Sequence, residues 1–233
     1  MTTYNDIGIS RQPDWPRIRK LLAIGLVMSL LWAGGSFYLG WGVEEEGLVG
    51  LSRLLSPAVG KSDKALLAIA LGGMVALILM GLSSFGIYRL IAKSAPGYAH
   101  RYRACLFGVV IFGGCGFHMP LCALIYLARH LGWTQVVQGF AEGYLAPTAG
   151  LFFLAFLFMQ FTQMKAFSKG LTPCPKSCWV YTPLLPMALI QLLGLLGNHP
   201  LLNALRFAWM GIGCVWMFGG LLVQVTKRTR RTR

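Results

Sequence analysis

The sequence predicts an all-α membrane protein: a polytopic bundle of six transmembrane helices plus a short outer amphipathic helix. Three observations carry this reading. The 233 residues are 56% hydrophobic and 12% charged, with a mean hydropathy of +0.62. Soluble domains carry about 25% charged residues, and half of that cannot cover a soluble surface of this size. Six apolar segments reach the roughly 20 residues that a helix needs to cross the hydrocarbon core. The 21 Lys and Arg fall between these segments, in clusters that are alternately dense and sparse.

The six segments are 21–41, 65–90, 104–128, 145–164, 180–197 and 201–225. The first is too long for the core of a signal peptide and lacks a small-x-small cleavage site ahead of a soluble domain, so it is expected to remain as a span. Between the first and second spans lies the longest loop, 43–64. It opens with Glu44, Glu45 and Glu46, and Leu48, Leu51, Leu54 and Leu55 then recur at helical spacing up to Pro57. That pattern predicts a short amphipathic helix that ends at Pro57 and lies on the outer surface or caps the bundle. In the third span, Pro120 removes a backbone donor and is expected to kink or loosen the helix, while Gly113, Gly114 and Gly116 admit a close neighbour. Pro147, Pro183 and Pro186 fall in the first turns of their spans, where a missing N–H costs little. Trp32, Trp41, Trp133, Trp179 and several tyrosines fall mostly near span ends, as headgroup anchors do.

Charge sets the orientation. Arg11, Arg17, Arg19, Lys20, Arg89, Lys93, Arg101, Arg103, Lys165, Lys169, Lys176, Lys227, Arg228, Arg230, Arg231 and Arg233 lie on one side, and Arg53, Lys61, Lys64, Arg129 and Arg206 on the other. The positive-inside rule puts the richer side, with both termini, in the cytoplasm. The expected organisation is a cytoplasmic tail at 1–20, a six-helix domain at 21–226 and a basic cytoplasmic tail at 227–233, disordered or lipid-bound. The net charge of +14 does not point to nucleic acid. The basic residues flank apolar segments and do not stripe a folded face, so anionic membrane lipids are their partners.

Ionisable groups inside a membrane are costly and often functional. His118 is the one His near the middle of a span, beside a glycine face and Pro120. It reads as a pocket residue or as a core His bonded to a carbonyl that Pro120 frees. Other polar groups fall at the same outer level: Tyr38 and Trp41, Glu44 to Glu46, Glu142, Gln191, Asn198, His199, Asn203 and Arg206. In a compact bundle these line a cavity with His118 at its floor. Glu142 stands alone among apolar residues as a partner for His118, His199 or Arg206, whereas Glu44 to Glu46 and Asn198 read more simply as solvated loop residues or caps. Gln160, Thr162 and Gln163 read as interhelical hydrogen-bonding groups or headgroup contacts.

No cofactor or metal is expected. Cys105, Cys115, Cys122, Cys174, Cys178 and Cys214 avoid the outer loops and read as reduced structural thiols. Cys174 and Cys178, with His100 and Cys105, match no strong zinc spacing. There is no Walker A sequence, no H-E-x-x-H and no G-x-S-x-G. No span carries a central carboxylate, which weighs against ion-coupled transport.

The Gly113-Gly-Cys-Gly-Phe-His118 run in the third span and the Pro175-Lys-Ser-Cys-Trp179 step ahead of Pro183 resemble a group of bacterial multi-pass proteins catalogued as a domain of unknown function. The group's pattern has small residues, then an aromatic or Ala and a His in the third span, and a Pro-Arg-Trp-like step before the fifth. The resemblance spans about residues 20–225. It implies a compact helical bundle in the bacterial cytoplasmic (inner) membrane and implies no activity.

The functional expectation is a multi-pass protein that binds a lipid-like or amphipathic small molecule in an outward-facing intramembrane pocket around His118. Glu142, Glu45, Tyr38, Gln191 and His199 are the candidate wall residues. Whether the bound molecule is also modified is left open. The alternatives are a non-catalytic subunit that packs its glycine faces on a membrane partner or on a second copy, and a small transporter or channel.

Overall fold

The computed structural model describes residues 13–231; Arg11 and Arg233 of the expected tails lie outside them. The described chain is all-α, 85% helical and without strands. Five helices are long and apolar enough to cross a membrane.

The first is α1 (Trp15–Gly40), opened by the Asp14 carboxylate, which accepts from the Arg17 N–H at 3.1 Å. The second runs through α3 (Asp63–Ser83) and α4 (Phe85–Ala92). Ser62 caps α3 by accepting from the Ala65 N–H, and Asp63 adds a favourable charge to its first turn. The third joins α5 (Pro96–Phe112) to α6 (Met119–Leu131) through a π-helical turn over Gly113–His118. The fourth joins α7 (Gln135–Phe140) to α8 (Ala146–Ser168) through a second π turn over Ala141–Leu145. The fifth is α10 (Pro200–Arg231), 32 residues long.

Each π turn stands directly before a proline at the second position of the next helix. A proline ring clashes with the carbonyl four residues earlier and offers it no donor. The chain answers by widening one turn, so that the Met119 N–H bonds to the Gly114 carbonyl and the Ala146 N–H to the Ala141 carbonyl, each five residues back. Pro120 and Pro147 thus loosen the coil without ending it.

The predicted span at 180–197 is not one long helix. It consists of a 3-10 turn (Lys176–Tyr181), the ten-residue α9 (Leu184–Leu193) and a second 3-10 turn (Gly194–Leu196). The prolines explain the break. Thr182 takes the extended conformation that a residue before proline prefers (ψ 142°), and neither Pro183 nor Pro186 can donate to a preceding turn. The broken segment still runs antiparallel to α10. Tyr181 lies against Gly220, Pro183 and Met187 against Gly213, and the Arg206 side chain over Gly194.

The α1–α10 pair is the spine of the bundle. Glycines let the two backbones approach, with Phe218 against Gly25, Ala33 against Gly211, and Asn203 and Phe207 against Gly40, so the pair is antiparallel. At the far end the Arg228 guanidinium sits 5.7 Å from the centre of the Trp15 ring, which brings the start of α1 and the end of α10 together. Residues 227–231, part of the tail expected to be disordered or lipid-bound, continue α10 as helix. Lys and Arg are good helix formers, and the stack on Trp15 ties this stretch down.

The predicted amphipathic helix is α2 (Gly50–Val59), preceded by Gly47 and Gly50 at φ +90° and +58°, where a side chain would be strained. Leu55 and Ala58 are buried. Pro57 does not end α2 but sits inside its last turn. The Arg53 carbonyl, which Pro57 cannot serve, accepts from the Ser56 hydroxyl at 2.7 Å. Two apolar clusters fill the bundle. The larger surrounds Tyr102, Phe152, Phe167 and Phe218, and the smaller, around Leu39, Leu55, Ile125 and Val137, lies under α2.

Candidate functional site

The polar residues near α2 form a connected cluster, and Glu44 is its centre. Its backbone is fixed first. Asn198, in the corner before α10, accepts from the Glu44 N–H at 2.8 Å and donates to the Glu44 carbonyl at 2.9 Å. Asn203 donates to the Gly42 carbonyl at 2.9 Å and to the Asn198 side-chain oxygen at 2.8 Å. Held this way, the Glu44 side chain is only 6% exposed and takes two arginines, Arg206 Nη1 at 2.8 Å and Arg53 Nε at 2.9 Å. A buried carboxylate requires such partners. Two guanidiniums on one carboxylate leave the cluster with a positive excess. Glu45 and Glu46 stand exposed beside it.

A recess of about 330 Å³ lies over this cluster, between Arg53, Asn198 and Arg206. It adjoins a larger apolar chamber of about 430 Å³, and Leu54 and Arg206 line both. Leu51, Leu54 and Leu55 of α2 roof the chamber, and Phe117, Phe153 and Trp209 form an aromatic wall. Phe117 meets Phe153 edge-on at 5.2 Å, and Phe153 lies 6.3 Å from Trp209. Its polar groups are the Gln191 amide and the Arg206 guanidinium. Arg206 is rigidly placed, because Glu44 holds its tip and its aliphatic stem occupies the space a side chain at Gly194 would need. The size and lining are those of a small-molecule site: mostly apolar, with few oriented polar groups.

The sequence candidates distribute unevenly around this geometry. Gln191 lines the chamber. His118 is buried, at 2% exposure, but faces away from it, toward α3, where Nε2 lies 3.0 Å from the Ile69 carbonyl. The ring fills the space left by the missing side chain of Gly73. Its cleft, about 220 Å³ between α1 and α3, shares no lining residue with the chamber. Tyr38 is half-exposed under the Lys61 ammonium, 4.9 Å from the ring centre. Glu142 and His199 are exposed, and the His199 ring accepts from the Leu201 N–H at 3.3 Å as a helix cap. Glu45 is exposed, and its N–H donates to Ser56 Oγ at 2.9 Å. These six residues therefore do not form one cavity. Glu44, Arg53 and Asn203 were not among the candidate ligand contacts. One signal was available, since a chain with seven acidic residues places three of them next to a predicted cap. Which of the three turns inward depends on the path of the loop.

Among the described residues, no three His, Cys, Asp or Glu side chains converge as a metal would need. All six cysteines are free. Cys174 and Cys178 act on each other as a pair, which holds the Cys178 thiol below its usual value and pushes that of Cys174 up. Among the described residues the partners of His118 Nε2 are the Ile69 carbonyl at 3.0 Å and the Cys122 thiol at 3.9 Å, with no carboxylate among them.

The profile described as "Family of unknown function (DUF6796)" matches residues 4–228. The chain belongs to this family. No curated protein and no solved structure matches it. Membership of DUF6796 assigns no activity, and the chamber, the recess over Glu44 and the His118 cleft all lie inside the matched region.

Proposed function

We propose that this protein is a six-span protein of the bacterial cytoplasmic membrane, with both ends in the cytoplasm, and that it binds an amphipathic small molecule in the chamber beneath α2. Three features support the topology. Lys and Arg concentrate at the end of the bundle that carries both termini. The contact between Trp15 and Arg228 calls for an even number of crossings. The broken segment through α9 follows α10 from Gly220 to Arg206, about 21 Å at 1.5 Å per residue. That course along α10 supports reading it as the sixth crossing, with its interruption covered by protein, as a membrane requires. The chamber then faces outward, away from the cytoplasm.

The observation that carries the binding reading is the union of an aromatic and aliphatic chamber with one fixed guanidinium at its rim. The apolar body of a ligand fills the space between α2 and the Phe117–Phe153–Trp209 wall. Its polar or anionic end meets Arg206 and Gln191. The geometry favours binding over catalysis, because the described residues that line the chamber include no nucleophile and no acid–base pair. It also favours binding over a purely packing role. Of the six glycines at 72–73, 113–114 and 219–220, five already have atoms of this chain within 4 Å of where a side chain would begin.

Native mass spectrometry of the purified protein, with identification of co-purifying molecules, tests this reading. A discrete amphiphile should accompany the wild type and His118→Ala, and be lost from Ala149→Phe, which fills the chamber at a residue that does not line the recess over the ion cluster. Arg206→Gln should weaken it by about 10- to 100-fold, the effect of one charged hydrogen bond. Bulk lipid alone in every variant would sink the proposal.

A further inference from the structure

We propose that the recess over Glu44 is the headgroup half of the ligand site and takes a phosphate ester. The ligand is then a phospholipid-like molecule, with its chain in the chamber and its phosphate between Arg53 and Arg206. This inference rests on the binding reading above and adds the chemical class of the ligand. The two arginines carry it. Glu44 takes one N–H from each, Nε of Arg53 at 2.9 Å and Nη1 of Arg206 at 2.8 Å. A guanidinium carries five N–H groups, and neither guanidinium has another acceptor among the described residues. Both residues line the recess, with side chains 51% and 26% exposed, against 6% for Glu44. The carboxylate is the covered member of the trio and the cations are the open ones. Two positive charges against one negative leave an excess that an anion satisfies, and the exposed Glu45 and Glu46 do not line the recess.

The wall of the recess is more polar than apolar, the reverse of the chamber's. Apart from Glu44, Arg53, Asn198 and Arg206, only glycines and leucines line it, so its polar surface comes from this cluster and from backbone. Arg53 belongs to α2 and Arg206 to α10, and their forks reach the recess from separate elements. A carboxylate offers two oxygens, which one fork satisfies, whereas a phosphate offers three strong acceptors and engages both. Glu44 fixes both forks in advance, so binding has little ordering of long side chains left to do. Leu54 and Arg206 line recess and chamber alike, and a headgroup and chain joined by one ester bridge them. At the opposite rim Leu195 is 79% exposed. The recess thus lies where apolar and charged surface meet, as at the headgroup level of a membrane.

The test is isothermal titration of the full chain in an uncharged detergent, with hexadecyl phosphate, palmitate, hexadecanol and inorganic phosphate as probes. Hexadecyl phosphate should bind saturably, about 10- to 100-fold more tightly than hexadecanol and about three- to tenfold more tightly than palmitate. Inorganic phosphate, which has no chain to bury, should bind far more weakly than the ester. Arg53→Gln should weaken hexadecyl phosphate by about tenfold and leave hexadecanol unchanged, because Arg53 does not line the chamber. Ala149→Phe should abolish binding of every chain-bearing probe. Equal affinity for the phosphate and the alcohol, or an indifferent Arg53→Gln, would overturn this inference and leave the chamber standing. Palmitate as tight as hexadecyl phosphate would overturn it in favour of a carboxylate site, and inorganic phosphate as tight as the ester in favour of a site for free phosphate. If no chain-bearing probe binds, the chamber reading falls and this inference with it. Should Arg53→Gln fail to fold, the comparison of probes on the wild type still decides.

Discussion

Glu44 shows how much the fate of one residue depends on its surroundings. Three glutamates follow one another, and only the first is held by backbone contacts and turned toward two arginines. Replacing Glu44 with Gln leaves Arg206 and Arg53 facing a neutral amide. The expected loss is about 1–3 kcal/mol, below the full value for a buried pair because Arg53 is half-exposed. Glu45→Gln and Glu46→Gln should each stay within about 0.5 kcal/mol. Thermal unfolding in detergent checks the contrast, and three equal shifts would remove Glu44 from the centre of the cluster. Gly73 and Gly72 make a second pair of neighbours with opposite fates. An added methyl at Gly73 runs into the His118 ring, whereas at Gly72 it meets open space. Gly73→Ala should therefore cost about 1–3 kcal/mol, and Gly72→Ala should be neutral or stabilising by up to about 1 kcal/mol. If the imidazole is the obstacle, adding His118→Ala to Gly73→Ala should destabilise less than the sum of the single changes. Sequence alone singled out His118 because a His in an apolar span is conspicuous. It could not show which way the ring turns, since that is decided by a glycine on another helix.

At the level of elements, hydropathy read most of the architecture. Five helices long and apolar enough to span appear where long apolar runs predict them, because a membrane helix must satisfy its own backbone over its full length. The helical spacing of Leu51, Leu54 and Leu55 likewise marked α2. Hydropathy did not reveal that 180–197, apolar enough to span, is broken into short pieces by two prolines at its start. Composition averages over such breaks, and only the backbone consequences of Pro183 and Pro186 divide the segment. The π turns before Pro120 and Pro147 are a gentler form of the same conflict. The amphipathic face of α2 supplies a prediction of its own. Leu55 is 1% exposed and Leu51 41%, so Leu55→Ala should cost about 2–5 kcal/mol by leaving a cavity, and Leu51→Ala much less. Protease sensitivity of the 43–64 loop, followed in detergent, reports whether α2 has come away from the bundle. Equal sensitivity in the two variants would mean that α2 does not dock through Leu55.

Across the whole molecule, charge and packing point to the same arrangement from independent evidence. The uneven distribution of Lys and Arg predicts both termini on one side, and the Trp15–Arg228 contact brings the described ends of the chain together. Neither observation alone says which side faces the cytoplasm. The positive-inside rule supplies the proposed orientation, in which α2, Glu44 and the mouth of the chamber face outside. Single cysteines can test the assignment directly. In a background lacking the exposed Cys115, Glu46→Cys sits on an exposed loop beside α2, and Lys169→Cys at the exposed end of α8. A membrane-impermeant maleimide should modify Glu46→Cys in intact cells, and Lys169→Cys only after permeabilisation. The reverse pattern would invert the protein and turn the chamber toward the cytoplasm. Labelling of both in intact cells would mean that the chain between α2 and α8 does not cross the membrane as proposed, and that the six-span arrangement is wrong.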